Sequence, residues 1–321
     1  MINRRMPMSP AVQSLEHNGI TWLSVQQPTA EVFKELETTY QLHPVHLKES
    51  LQTIQLTEVE REENYIFLLL HLSTYDPTSQ YITTSQVGVF LGKDFVITVH
   101  DERPSSLTDL FQACLSDDTL AASFCKNSAS YLLYGLIKKL LEDVSLTVET
   151  LLNELDVVEM IVFDDSRSDA FQIGKLRQKI IRLKRVMDPL QLVLDDLAHQ
   201  INDFSGEHLA KYYFNNAKLA KKLVAVISEA QETIEIFKDA DFTTSTEQTN
   251  RILAILTLVF TFTIPVTVLG TLYGMNVPLP GGLSSGVWTF FGPYTTLGII
   301  ISVSTLAAIG MYAYFHKKRW F

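Results

Sequence analysis

The residues best suited to chemistry stand at the end of an apolar stretch, where the chain reads Tyr273-Gly274-Met275-Asn276. Asn276 carries a carboxamide, which accepts and donates hydrogen bonds without a formal charge. Such a residue can also end a helix, because asparagine tolerates the left-handed backbone conformation. It offers no acid, base or nucleophile, and the sequence contains no P-loop or HExxH motif. We therefore expect a protein that is not an enzyme and that needs no cofactor.

The segment that leads to these residues is predicted to cross a membrane. No Asp, Glu, Lys or Arg occurs between Ile252 and Phe315, which suits a bilayer better than a surface in water. Two spans are predicted, at about 252–273 and 294–315. The first would be about 33 Å long, enough for a hydrocarbon core of roughly 30 Å. Residues 274–293 are rich in Pro and Gly and predict a reversal of the chain.

Lysine and arginine set the orientation of the two spans. The C-terminal tail contains Lys317, Lys318 and Arg319, whereas the loop between the spans contains neither residue type. The positive-inside rule then places both termini in the cytoplasm and the loop outside. No apolar run follows the basic N-terminus, so no secretory signal is predicted. We expect a multi-pass protein of the plasma membrane, with lipid bilayer around its spans.

Two spans cannot enclose an aqueous path, so transport of a solute would require several copies around an axis. The first span carries a narrow seam at helical spacing, formed by Asn250, Leu253, Thr257, Phe260, Ile264, Thr267 and Thr271. Gly270 and Gly274 form a GxxxG pair, which permits close approach of helices. The threonine hydroxyls could instead bond back to the preceding turn of their own helix.

The chain before the spans changes from mixed to helical periodicity, which predicts the class α+β. A mostly antiparallel sheet is predicted from strands near 20–25, 65–73, 82–91 and 95–100, with helices near 30–40 and after Pro44. Long helices follow over 127–163, over 170–204 with a kink at Pro189, and from 207 straight into the first span. The predicted domains are 1–106 (cytoplasmic α/β), 107–250 (cytoplasmic long helices) and 251–321 (membrane).

Charge and cysteine content exclude other classes of protein. The net charge of −10 repels nucleic acid, and no Lys/Arg-rich stripe occurs before the C-terminus. The two cysteines, Cys114 and Cys125, lack CxxC spacing and a neighbouring Cys/His cluster. They predict neither a zinc site nor a disulfide framework.

The sequence resembles the CorA family of Mg²⁺ channels, whose mark is Gly-Met-Asn at the end of the first of two C-terminal spans. The resemblance extends over nearly the whole chain through Ile264-Pro265-Val266-Thr267, Thr249-Asn250, the Lys317-Lys318-Arg319-Trp320 tail, His43-Pro44 and the run from Tyr65 to Leu72. It implies a homopentamer with a funnel-shaped cytoplasmic domain. It also implies that Gly274, Met275 and Asn276 form the outer selectivity filter. Mg²⁺ dehydrates reluctantly, so carbonyl and amide oxygens there would hydrogen-bond its water shell.

The resemblance assigns further residues to the ion path. The family's pore-lining positions fall on Asn250, Leu253, Leu256, Phe260, Ile264, Thr267 and Thr271. Leu253, Leu256 and Ile264 would form apolar constrictions that gate by dewetting. Asp239 matches an acidic ring at the cytoplasmic mouth, where repeated carboxylates would concentrate cations. Asp241 and Glu247 would add to that field.

Two departures from the family pattern concern acidic residues. The outer loop Val277–Gly282 contains none, where the family usually has one. The family's regulatory Mg²⁺ site uses an acid after a Tyr-Phe pair, whereas Asn215 follows Tyr213-Phe214 here. A neutral ligand weakens a site for a hard cation. Closure by cytoplasmic Mg²⁺ is therefore expected to be weaker or to use other residues.

Three functions remain open on the sequence. The first is a passive channel for Mg²⁺, with Co²⁺ or Ni²⁺ as further ions, that closes when cytoplasmic Mg²⁺ is high. The second is a Zn²⁺ transporter of the ZntB type, an alternative that the neutral outer loop leaves possible. The third is a membrane-anchored sensor without transport, which would need a ligand pocket near His100-Asp101-Glu102 or near His43 and His46.

Overall fold

The computed structural model describes residues 12–52, 57–76, 78–101, 105–126, 128–162, 170–275 and 292–317. It divides into two compact units, Met1–Asp241 and Phe242–Phe321. The first holds a mixed sheet packed against helices, which confirms the α+β class. The separation of that unit at residue 106 remains a prediction, because one apolar core joins the sheet to the long helices that follow.

The sheet has six strands in the order β1-β2-β6-β5-β4-β3. Its strands are β1 Val12–His17, β2 Ile20–Gln26, β3 Glu58–Arg61, β4 Ile66–Asp76, β5 Tyr81–Leu91 and β6 Phe95–His100. All neighbours pair antiparallel except β2 and β6, which are parallel. The four predicted strands are confirmed as β2, β4, β5 and β6. The prediction missed β1 and β3, which form the two edges.

Short turns fix the register of two strand pairs. Asn18 and Gly19 connect β1 to β2 with φ of 50° and 78°, the left-handed conformation that two-residue hairpin turns require. The predicted turn at residues 92–94 is confirmed, because the Gly92 N–H donates to the Phe95 carbonyl at 2.9 Å. Both hairpins are therefore specified locally.

The two faces of the sheet bury different sets of side chains because successive residues of a strand point to opposite faces. Leu23, Phe67 and Leu69 pack with α1 (Ala30–Tyr40) and α2 (Pro44–Glu49). Trp22 and Leu68 join the larger core on the other face. That core includes α3 (Ser105–Ser116), α4 (Asp118–Phe124) and the long helices.

Long helices make up the rest of the described chain. They are α5 Ala129–Val162, α6 Ala170–Ser205, α7 Ala210–Gly274 and α8 Thr295–Lys317, the last preceded by a 3₁₀ turn at Gly292–Tyr294. The predicted bounds are confirmed to within a few residues. Helix α6 continues through Pro189. Helix α7 is continuous from the first unit into the first apolar span, as the lack of a Gly or Pro stop predicted.

Buried polar contacts attach the start of α7 to α5. The Tyr213 hydroxyl donates to the Ser130 carbonyl at 2.6 Å, and the Asn216 amide donates to the Tyr134 carbonyl at 3.1 Å. Tyr213 is buried, so its hydroxyl depends on this partner. These bonds fix the rotation of α7 at the end from which the helix runs toward the span.

Replacing Tyr213 with Phe is expected to lower the stability of the protein. The change removes one buried hydrogen bond with little change of volume, so a cost of about 0.5–1.5 kcal/mol is expected. Thermal unfolding of the full chain in detergent measures the change. The matched control is Tyr212→Phe, because Tyr212 is exposed; equal midpoints for the two variants would contradict the assignment.

Candidate functional site

The candidate filter begins where helix α7 ends. Gly274 is the last residue of α7, and the Met275 N–H donates to the Leu272 carbonyl at 3.3 Å. Helix C-termini leave carbonyl groups without intrahelical donors and carry partial negative charge. Met275 is exposed. The third filter residue, Asn276, lies outside the described residues, so its predicted role stays a prediction.

The first span contains no buried residue, and its half-buried residues are confined to one face, at Leu258, Thr261, Phe262, Pro265, Leu269 and Tyr273. The window that marks it has a mean hydropathy of 2.5, and none of it is buried within the protein. A core helix of a soluble protein would bury most of such a window. The second candidate span, Leu297–Lys317, has a mean hydropathy of 1.7 and is likewise unburied. Lipid or other copies of the chain must therefore cover this apolar surface.

The predicted pore-lining side chains lie on this exposed helix. Leu253, Phe260 and Ile264 expose 54%, 59% and 56% of their surface. Ile252 and Val259, which were not predicted to line a pore, expose 59% and 54%. The half-buried residues of the span lie along another face, and none of the predicted pore-lining residues is among them. Their lining role stays a prediction, as do the constrictions at Leu253, Leu256 and Ile264.

The threonines of the first span bond to their own helix. Each donates its hydroxyl hydrogen to the carbonyl four residues earlier, at 2.6–3.0 Å, in Thr257, Thr261, Thr263, Thr267 and Thr271. The predicted alternative of back-bonding is thereby confirmed. It does not exclude a role toward ions. A hydroxyl that donates its hydrogen to its own helix can only accept further hydrogen bonds, through the lone pairs of its oxygen.

The GxxxG pair is open to a partner. An added Cβ at Gly270 or Gly274 would meet no atom within 4 Å. Neither glycine is therefore needed for packing within the part of the chain that the structure describes. Close approach of another helix at this pair stays a prediction.

The acid predicted for the cytoplasmic mouth has a cationic neighbour. Asp239 is exposed, and its Oδ1 lies 3.3 Å from the Lys238 ammonium. The same ammonium is 3.0 Å from Glu235 Oε2, and Glu235 also pairs with Arg177 of α6. The pKa of Lys238 is raised, first by its hydrogen bond to Glu235 and then by that to Asp239. Sequence reasoning missed Lys238, because the contact depends on side-chain rotamers.

The predicted contribution of Asp241 to the field at the mouth stays a prediction, although its side chain lies on the core side of α7. Asp241 is buried, with 8% of its surface exposed. It follows Ile234 and Phe237 at helical spacing on the face of α7 that enters the core. Only Glu247 of the two additional acids is exposed.

The position of the family's regulatory acid is neutral and exposed. Asn215 lies on the outer face of α7, while Asn216 is buried and bonded to α5. Within the described ranges, no group of three or more His, Cys, Asp or Glu side chains is placed to hold a metal ion. Regulation through cytoplasmic Mg²⁺ stays a prediction.

The histidines proposed for a sensor site have structural partners. His46 Nε2 lies 3.0 Å from Glu60, its Nδ1 lies 2.8 Å from the Tyr65 hydroxyl, and its ring stacks on Phe67. The His43 ring accepts the Val45 N–H and caps α2. Both side chains are therefore committed to the fold of the sheet domain.

The second proposed histidine cluster also serves the fold. The His100 Nδ1–H donates to the Asp101 carbonyl at 2.6 Å, which leaves Nε2 to face the Ser24 hydroxyl at 3.4 Å. Burial lowers the pKa of His100 below its usual range. The remaining member, Glu102, lies outside the described residues.

Comparison with known proteins places the chain among membrane transporters. The family described as "CorA-like Mg2+ transporter protein" matches residues 17–317. The "Cobalt/magnesium transport protein CorA" of Thermotoga maritima is 24% identical over 303 residues, which cover 94% of this chain and 83% of that protein.

Two solved structures share the fold. The complete CorA magnesium transporter of Methanocaldococcus jannaschii aligns with a TM-score of 0.77 and 17% identity, covering 96% of this chain and 94% of that one. The ZntB cytoplasmic domain of Vibrio parahaemolyticus aligns with a TM-score of 0.59 and 14% identity, covering 71% and 88%. At these identities the likeness concerns the fold.

Buried His100 predicts that acid weakens the sheet domain. Its pKa in the folded protein lies below the value of about 6.5 of a free histidine. The unfolded chain therefore takes up the proton first, and stability is lost as the pH falls through about 6.5. His100→Gln should narrow the difference between unfolding midpoints at pH 7.5 and pH 5.5. His208→Gln, which changes an exposed histidine, is the control. If His100→Gln kept the same difference between the two midpoints as the wild type, the role of His100 would be contradicted.

Proposed function

Because the chain belongs to the family of CorA-like Mg²⁺ transporter proteins, whose members are transporters and not enzymes, we propose that it is a passive channel for hydrated Mg²⁺. Co²⁺ and Ni²⁺ are proposed as further ions. The channel lies in the plasma membrane and requires several copies, because two spans per chain cannot enclose a path; the resemblance to the family implies that the copies form a homopentamer. Its central pore is lined by the first span of each copy.

The distribution of threonines along the first span is the observation that carries this proposal. At 100° per residue, Thr257, Thr261, Thr263, Thr267 and Thr271 fall within an arc of about 160°. The predicted pore-lining positions fall within about 120° around the same direction. The threonine hydroxyls thus share a side of the helix with the proposed pore, and the opposite side is apolar except for Tyr273 near its end.

The state of these hydroxyls suits a hydrated cation. A divalent cation in its water shell presents O–H donors outward, so a pore wall must supply acceptors. The back-bonded Thr267 and Thr271 supply acceptor oxygens alone. Thr271 lies about one turn, and Thr267 about two turns, before the helix end at Gly274. Mg²⁺ would therefore pass without losing the waters that it releases reluctantly.

The end of α7 supplies the negative potential that the outer loop lacks. The loop between the spans contains no acid, so recruitment cannot rest on carboxylates. Each helix C-terminus carries about −0.5 of an elementary charge. Several such ends around one axis would attract cations to the carbonyls of Gly274 and Met275 and to the Asn276 amide. We propose these groups as the filter.

The gate and the cytoplasmic side complete the proposal. Leu253, Leu256 and Ile264 would close the pore by dewetting. The basic tail orients both termini toward the cytoplasm. There Asp239 would draw cations to the mouth, and cytoplasmic Mg²⁺ would close the channel. The neutral Asn215 predicts that this closure is weaker than an acid at that position would provide.

A Zn²⁺ transporter is the second candidate. The similarity of the first unit to the ZntB cytoplasmic domain supports it, as does the acid-free outer loop. Met275 in the filter motif favours the magnesium channel. A sensor without transport is the remaining alternative, and the structural roles of His46 and His100 weigh against it.

Asn276→Ala is expected to abolish most Mg²⁺ influx into liposomes that contain the purified protein. The change removes an amide oxygen from each copy at the proposed filter. Asn153→Ala, which removes an exposed amide on α5 that the proposal does not place in the ion path, is the matched control. Equal flux in wild type and Asn276→Ala would place the filter elsewhere. Zn²⁺ flux without Mg²⁺ flux would favour the second candidate, and no flux of either ion would favour the sensor.

Lys238→Gln is expected to strengthen the cation field at the cytoplasmic mouth. It removes the ammonium that lies 3.3 Å from Asp239, so Mg²⁺ supplied from the cytoplasmic side should reach half-maximal flux at a concentration on the order of two- to five-fold lower. Asp239→Asn should shift the concentration the other way. Both shifts should shrink in 0.5 M salt, because the groups are exposed and the Debye length falls.

Lys222→Gln provides the control for a lost lysine on the same helix. Lys222 is exposed and forms no ion pair with any residue that the structure describes. Its removal should leave the half-maximal concentration unchanged. Lys238→Gln and Asp239→Asn must shift the half-maximal Mg²⁺ concentration in opposite directions. A shift in the same direction for both variants would exclude an electrostatic role of this pair.

A further inference from the structure

A cavity between α6 and α7 lies apart from the proposed ion path, within the first unit. Its volume is about 320 Å³, and it is lined by Gln191, Asp195, Phe214, Ala217, Lys218 and Lys221. The α7 residues form one wall, because Phe214 is three and four residues before Ala217 and Lys218, and Lys221 follows those two by four and three. The residues from α6 form the other.

The lysines of this wall have no anionic partner. Across the described ranges, neither Lys218 nor Lys221 takes part in an ion pair, whereas Lys179 and Lys238 on the same two helices do. Helix α7 contains no Asp or Glu before Glu229. Lys218 and Lys221 therefore repel each other at positions i and i+3, with no acid nearby on their own helix. In a chain of net charge −10, such a cluster is suited to a bound anion.

The other lining groups narrow the chemistry of that anion. Ammonium groups bind phosphate as point charges. Phe214 exposes 39% of its surface and holds its ring edge-on to His199 at 5.0 Å between centroids, so it offers an apolar face for a planar base. The Asp195 carboxylate would repel a bare anion but would accept hydrogen bonds from the waters of a phosphate-bound Mg²⁺.

We infer that this cavity binds a Mg²⁺-complexed polyphosphate, the form that a nucleoside triphosphate takes when Mg²⁺ is present. Lys218 and Lys221 would contact the phosphates, and Asp195 and Gln191 the hydrated metal. Phe214 would contact the base if the ligand is a nucleotide. The inference concerns binding and does not depend on whether the chain conducts ions.

Calorimetric titration of the full-length protein in detergent tests the inference. The titrants are ATP and tripolyphosphate, each with Mg²⁺, and sulfate at matched ionic strength. Saturable binding of a polyphosphate with Kd below about 1 mM is expected, with no binding of sulfate. The double variant Lys218→Gln/Lys221→Gln should raise Kd at least about ten-fold. Lys222→Gln, which alters a lysine outside the cavity, should leave Kd unchanged.

The two polyphosphates separate the possible sources of the ligand. Equal Kd values would identify the phosphate chain as the recognised group. Tighter binding of ATP, with the advantage lost in Phe214→Leu, would identify a nucleotide. Both results support the cavity as a polyphosphate site.

Three results would overturn the inference. They are an absence of saturable binding of either polyphosphate, an unchanged Kd in the double variant, and an equal loss in Lys222→Gln. Thermal unfolding of the double variant checks its fold. Photolabelling of the wild-type protein with an azido-ATP, followed by peptide mapping, gives an answer that needs no variant. Labels confined to peptides outside α6 and α7 would also reject the site.

Discussion

The bilayer offers no hydrogen-bond partners, and this constraint governs the C-terminal part of the molecule. Every backbone polar group in a span must be satisfied within the protein, and the helical form of both candidate spans achieves this except at the Thr261 carbonyl, because Pro265 has no N–H to donate to it. The same constraint explains the threonines of the first span, whose hydroxyl hydrogens all turn back to their own helix. Polar side chains are thereby tolerated in the span, and only acceptor oxygens remain for an ion's water shell.

Helix α7 places three kinds of chemistry on one continuous element. Within α7, lysines cluster from Lys211 to Lys222 and acidic residues from Glu229 to Glu247. No charged residue follows Arg251 in this helix. At 1.5 Å per residue, Lys218 and Asp239 are separated by about 30 Å along the axis. This exceeds the Debye length of about 8 Å in physiological salt. The lysine cluster therefore cannot neutralise the proposed cytoplasmic mouth, whereas Lys238 at 3.3 Å can.

Periodicity predicted the long helices, the spans and four strands, because each of these elements has an extended apolar pattern. The edge strands lack one. Strand β1 depends on its turn, and the Asn18-Gly19 pair was a usable signal that the prediction overlooked. Strand β3 has the sequence Glu-Val-Glu-Arg and becomes a strand only through pairing with β4. The burial of Asp241 followed from helical spacing with Phe237, but its acidic character suggested a surface position.

The sequence motif predicts which residues line the pore, but the exposure of the same residues in a single chain does not identify them. Leu253 and Ile264 are as exposed as Ile252 and Val259, because the half-buried face of the span includes none of these four residues. A pore-lining face would form only between copies of the chain, so the burial of side chains within one chain cannot identify it. What one chain does retain is the distribution of hydroxyls around the helix. The bilayer allows back-bonded threonines on any side. Their arc of about 160° covers nearly half of the helix, so it agrees with the proposed aqueous axis without requiring one.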